Sequence, residues 1–111
     1  MGTWGPEPWA NDAAADWFDA VFELTRLSEH VEQTLNLRIE QHVTEIRAAA
    51  HIISHLGEHY IWPSNSRARC IRLAISRLQK ILDQGIVTNE PMANLIRSEI
   101  ESLESRLTGQ S

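Results

Sequence analysis

The stretch from Leu37 to Leu56 constrains the fold most. Ile39, Val43, Ile46, Ala50 and Ile53 recur at the i, i+3, i+4 spacing of one helix face. Ala48 and Ile52 fall on the opposite side, and a helix that is apolar on two sides belongs in the middle of a packed structure. Ala48, Ala49 and Ala50 let a neighbouring helix approach closely. Gly57 is the natural stop. The segment predicts the central helix of a bundle, and the rest of the chain must supply its neighbours.

Those neighbours follow in order. A first helix starts at Asn11 or Asp12, either of which can cap free backbone N–H groups. Asp12 and Asp16 then sit near the positive end of the helix dipole. Trp17, Val21, Leu24 and Leu27, with Phe18 beside them, predict its buried stripe. Ser28-Glu29 reads as a new N-cap, so a second short helix or a kinked continuation runs to about Asn36 through Val31 and Leu35. After the connector Tyr60-Ile61-Trp62-Pro63, Ser64 or Asn65 caps a helix to about Gln84. Its buried face is Ile71, Ala74, Ile75, Leu78, Ile81 and Leu82, and Gly85 ends it. Thr88-Asn89-Glu90-Pro91 is a helix start with a cap and a first-turn proline. The last helix carries Met92, Ile96, Ile100, Leu103 and Leu107. Nothing alternates with a period of two over a strand's length. The expected fold is all-α, a small bundle of four or five helices forming one domain across 1–111, with a frayed tail at 108–111.

The opening has its own character. Three of the four tryptophans lie between Trp4 and Trp17, and Pro6 and Pro8 stiffen the approach to the first helix. Indole rings carry a large apolar area, so residues 1–10 are expected to form an ordered clasp that packs back onto the helices, with Trp62 as a possible contact. The pattern Trp4-Gly5, Trp9, Asn11-Asp12, then Ala14, Asp16-Trp17 resembles the start of a bacterial family catalogued as domain of unknown function 4259. That family opens close to M-G-x-W-G-x-G-x-F-x-N-D and continues into a helix containing alanine and aspartate. Glu7 stands where the family has glycine, Trp9 where it has phenylalanine, and His51 where an acidic residue is expected after the alanines. A glycine serving a positive φ would leave Glu7 strained. The resemblance implies fold and lineage and no activity.

Composition excludes several classes. With 42% apolar residues in a chain of 111, one modest core can be buried. A net charge of −5 disfavours nucleic acid, which needs a basic surface. Cys70 is the only cysteine, so no internal disulfide forms, which fits a reducing cytoplasm. The opening has no basic run ahead of an apolar core, and Pro6 stands where a myristoylation motif needs Ser or Thr. No apolar run reaches the roughly 20 residues of a membrane span.

Three constellations carry chemistry. Asn11, Asp12 and Asp16 make an incomplete cation shell and read first as a capped helix start. His51 and His55, at i and i+4, share a helix face and can hold a divalent metal if His59 or a carboxylate joins them. His42 is expected to be a hydrogen-bonded histidine at the core edge, and His30 to be exposed. Between Glu58 and Asp83 the charges are all basic, and Arg69, Arg72, Arg77 and Lys80, with Leu73 among them, point away from the buried stripe. That face suits an acidic or protein partner, or pairs with acidic helices of the same molecule, for example around Glu99, Glu101 and Glu104. Cys70 lies near arginines that would lower its pKa, though a buried structural thiol is the commoner case. There is no nucleophile elbow and no glycine-rich phosphate loop, so no catalytic residues are assigned. The reading is a non-enzymatic binding or accessory protein with a protein partner. The alternative is a metal-binding protein or metal-dependent hydrolase built on the histidine pair.

Overall fold

The computed structural model describes residues 5, 6 and 8–108, and among these the chain forms five helices and no strand. They are α1 (Asp12–Thr25), α2 (Leu27–Leu35), α3 (Ile39–Leu56), α4 (Arg67–Asp83) and α5 (Glu90–Leu107). α3 and α4 share the centre: each packs on the other, on α2 and on α5. Leu35, Ile46, Ile53, Ile71, Leu78, Ile81, Ile96 and Leu103 are fully buried between them. No helix among the described residues is long and apolar enough to cross a membrane.

Several helix ends fall where side-chain chemistry puts them. The Asn11 side chain accepts a hydrogen bond from the Ala14 N–H at 2.8 Å, and Asn89 caps α5 by accepting from Met92 N–H at 3.0 Å. Gly85 closes α4 with a φ of +68°. Gly57 closes α3 for a different reason. Its φ is −78°, but a Cβ there would lie 2.4 Å from the Ile53 carbonyl oxygen. The break between α1 and α2 comes at Arg26, earlier than Ser28. Arg26 takes the left-handed conformation (φ 54°), and its guanidinium reaches Glu29 at 2.6 Å. α4 begins at Arg67 behind Ser66, which makes no side-chain cap. Neither Ser64 nor Asn65 is the cap.

Four burial expectations need correction. In α1 the buried residue is Phe22, edge-on to Trp62 with ring centroids 5.0 Å apart, and Phe18 packs beside it. Trp17 is 61% exposed and Leu24 84%. α1 is apolar on two sides, and periodicity cannot choose between them. The choice is made by Trp62, which lies far along the chain in the connector after α3. In α5, Ala93 takes the inward place expected of Met92, which is exposed. Ala48 faces solvent, whereas Ala49 and Ala50 are buried and give α3 its close contacts. His42 sits at the core edge as expected, but its Nδ1 has no hydrogen bond and its backbone breaks helical geometry (φ −137°).

Trp9 packs against the core and Ala10 is buried, while Trp62 meets α1 through Phe22. Trp4, Glu7 and Gly109–Ser111 lie outside the described residues, so the expected strain at Glu7 and the frayed end lie outside them too.

One long-range device locks the bundle end. Arg67 is buried, and its guanidinium donates to the Gly57 carbonyl at 2.7 Å and the Arg106 carbonyl at 2.8 Å. Arg106 in turn donates to the Ser54 carbonyl at 2.6 Å and pairs with Glu58 at 2.5 Å. The last carbonyls of a helix lack partners within it. Here two arginines satisfy those of α3 and α5, where positive charge also suits the helix dipole.

Candidate functional site

On α4 the basic face is partly used up inside the molecule. Arg69 grips Glu32 of α2 with two hydrogen bonds, at 2.9 and 3.0 Å. That contact raises the arginine pKa and holds the Glu32 carboxyl below its ordinary value. Arg77 donates to the Leu37 carbonyl at 2.6 Å, just past the end of α2. Leu73 is half-buried and packs against the core. Arg72 and Lys80 alone of the five keep exposed side chains with no hydrogen bond or ion pair among the described residues. The acidic partner is therefore Glu32. Glu99 takes Arg47 of α3 at 2.8 Å instead.

The histidine pair lies beside an open groove between α3 and α5. The His51 and His55 rings stand edge-to-face with centroids 4.3 Å apart. Ser54, Leu95, Ser98, Glu99, Ser102 and Arg106 complete a groove of about 340 Å³. His59 lies past the end of α3, its ring 6.3 Å from that of Tyr60. Among the described residues no three of His, Cys, Asp or Glu are placed to hold one metal ion. His51 and His55 thus stand as a pair, without His59 and without a carboxylate.

Two other candidates resolve into structure. Asn11 is the cap of α1, and Asp12 and Asp16 are exposed. Cys70 is fully buried, and burial pushes its thiol pKa up, with Glu32 adding to the effect against Arg69. Such a thiol is a poor nucleophile.

The outward face of α1 is the feature that periodicity misassigned. Ala13, Trp17, Ala20 and Leu24 follow i, i+4, i+7, i+11 spacing, and all four are exposed. Trp17 rests edge-on against Phe18 at 5.4 Å, which steadies the indole without covering it. One residue back along the helix, Asp12, Asp16, Asp19 and Glu23 form a parallel acidic row, also exposed. Another step back, Asn11, Ala15, Phe18 and Phe22 form the inward row. The signal for this was present in the sequence: the same spacing, repeated three times one residue apart. Compared with protein-family models, curated proteins and solved structures, the chain matches none.

Proposed function

We propose that this chain is a non-enzymatic binding or accessory protein, and that the outward row of α1 is its contact surface. The observation that carries this is the exposure of Trp17 and Leu24 two helical turns apart on one stripe. A tryptophan and a leucine left in water forgo about 1.5–3 kcal/mol each of burial free energy. Ala20 keeps the stripe low between them, and Ala13 keeps it low before Trp17, so a partner can seat against both large side chains. Aromatic anchors of this kind dominate protein interfaces. The α4 face is a weaker candidate, because Arg69 and Arg77 are already engaged. The kinship suggested by Trp4, Gly5, Trp9, Asn11, Asp12, Asp16 and Trp17 adds lineage to this reading and no activity. A single buried thiol and the absence of any disulfide favour the cytoplasm as its place.

The test compares the parent with a Trp17→Ala/Leu24→Ala variant as bait in the source cells. A partner held by the parent and lost by the variant supports the reading. A partner held equally by both rules it out.

A second reading rests on the spacing of His51 and His55. Two imidazoles at 4.3 Å are half of a tetrahedral shell. Elemental analysis of tag-free protein decides it: about one metal per chain, lost in His51→Ala, would install a metal centre, and metal-free protein would remove it.

A further inference from the structure

Four carboxylates and no lysine or arginine lie within Asp12–Thr25, so α1 holds −4 of the chain's formal −5. Arg26, just beyond it, is taken by Glu29. None of Asp12, Asp16, Asp19 and Glu23 forms an ion pair among the described residues. Three ion pairs elsewhere join separate segments of the chain: Arg69 and Glu32, Arg47 and Glu99, and Arg106 and Glu58. The helix dipole accounts for Asp12 and helps Asp16, but its influence fades within the first turn and leaves Asp19 and Glu23 unexplained. Asp19 and Glu23 also border a cleft of about 520 Å³ that α1 and α2 form with the start of α4, where Glu29 and Glu32 are already held by Arg26 and Arg69 while Asp19 and Glu23 are not. An uncompensated acidic edge runs the length of the exposed apolar stripe.

Resting on the α1 reading above, we infer that the partner is an amphipathic helix with large apolar residues on one face and lysines or arginines along one edge. Its apolar side chains cover Trp17 and Leu24, and its cations meet Asp16, Asp19 and Glu23. Complementary charge along such a seam sets register and speeds encounter. A second copy of the chain fits poorly, because four carboxylates from each helix would gather eight around one seam without a cation. An anionic lipid surface or a nucleic acid meets the same repulsion.

The probe is a synthetic peptide of about 18 residues, long enough to hold a helix, with leucines in one row and lysines in the next. Its counterpart carries glutamate for lysine. Each is titrated into the isotope-labelled full chain by NMR, at low and high salt, alongside sedimentation of the chain alone. The expected result is perturbation of the Trp17 indole and α1 amides by the lysine peptide. Its affinity falls at least tenfold in high salt and at least tenfold in Trp17→Ala/Leu24→Ala, and the glutamate peptide binds at least tenfold more weakly. In an Asp16→Lys/Glu23→Lys variant, which brings the row to zero net charge, the preference between the peptides disappears. If both peptides bind α1 alike, the contact surface stands and the basic partner is wrong. If the lysine peptide fails to bind, or perturbs another face, the inference is overturned. Dimerisation of the chain through α1 also overturns it, by showing that a second copy is the occupant.

Discussion

Replacing Arg67 by methionine tests the lock at the bundle end. The guanidinium makes one hydrogen bond to the Gly57 carbonyl and one to the Arg106 carbonyl, at 2.7 and 2.8 Å. Hydrogen bonds to a charged group contribute about 1.5–3 kcal/mol each, and a buried acceptor left bare costs its desolvation. Gly57 is buried, so its carbonyl has no ready replacement, whereas water can reach the carbonyl at the end of α5 more easily. Methionine also removes the burden of burying a charge, which is what lowers the arginine's pKa. Balancing these, Arg67→Met should lose about 3 kcal/mol. For a chain of this size that corresponds to a fall in Tm of roughly 10–15 °C. Arg67→Lys keeps the charge but not the planar fork, and it should fall between variant and parent. Urea and thermal unfolding followed by circular dichroism at neutral pH give both values. An Arg67→Met variant within about 1 kcal/mol of the parent, or an Arg67→Lys variant equal to it, would show that the arginine does not lock the bundle end.

Other outcomes follow from the same geometry. Trp62→Ala should cost about 3–5 kcal/mol, Trp9→Ala less, and Trp17→Ala under about 0.5, measured as urea midpoints. Gly57→Ala should destabilise by more than Gly85→Ala, because the first forces a Cβ to 2.4 Å from the Ile53 carbonyl oxygen. The second meets only the roughly 1 kcal/mol of left-handed backbone. Because the Glu32 pKa lies below its unfolded value, the Arg69–Glu32 contact stabilises fully above about pH 4.3 and is lost as pH falls through the folded value. Glu32→Gln should therefore flatten the acid limb of the stability curve, though only slightly, because the exposed arginine is screened by solvent. The Cys70 thiol should resist a thiol reagent in the native state and react fully in urea; fast native labelling would show the burial to be wrong.

The helices were legible because their ends are written locally. Asn11, Gly57, Gly85 and Asn89-Glu90-Pro91 each act through their own backbone or a side chain three residues away. The main stripes of α3, α4 and α5 were legible from their spacing, although Met92 of α5 and Ala48 of α3 turn outward. α1 was not, since Phe18 and Phe22 on one side compete with Trp17 and Leu24 on the other, and the deciding contact comes from Trp62. Pairings such as Arg69 with Glu32, or Arg67 with the end of α5, join residues 37 and 39 positions apart. A run of basic residues on α4 shows charge without showing what neutralises it. The histidine pair was legible from its i, i+4 spacing, but its surroundings depend on how α5 packs, which brings Glu99 to the same groove already held by Arg47.

If the outward row of α1 serves contact, it should add little to folding. The most direct measurement pairs unfolding with binding on one variant, Trp17→Ala/Leu24→Ala. The expected result is a urea midpoint close to the parent's together with an affinity for the lysine-edged helix at least tenfold lower. A variant that unfolds several kcal/mol more easily would make the row structural, and one that keeps full affinity would place the contact elsewhere.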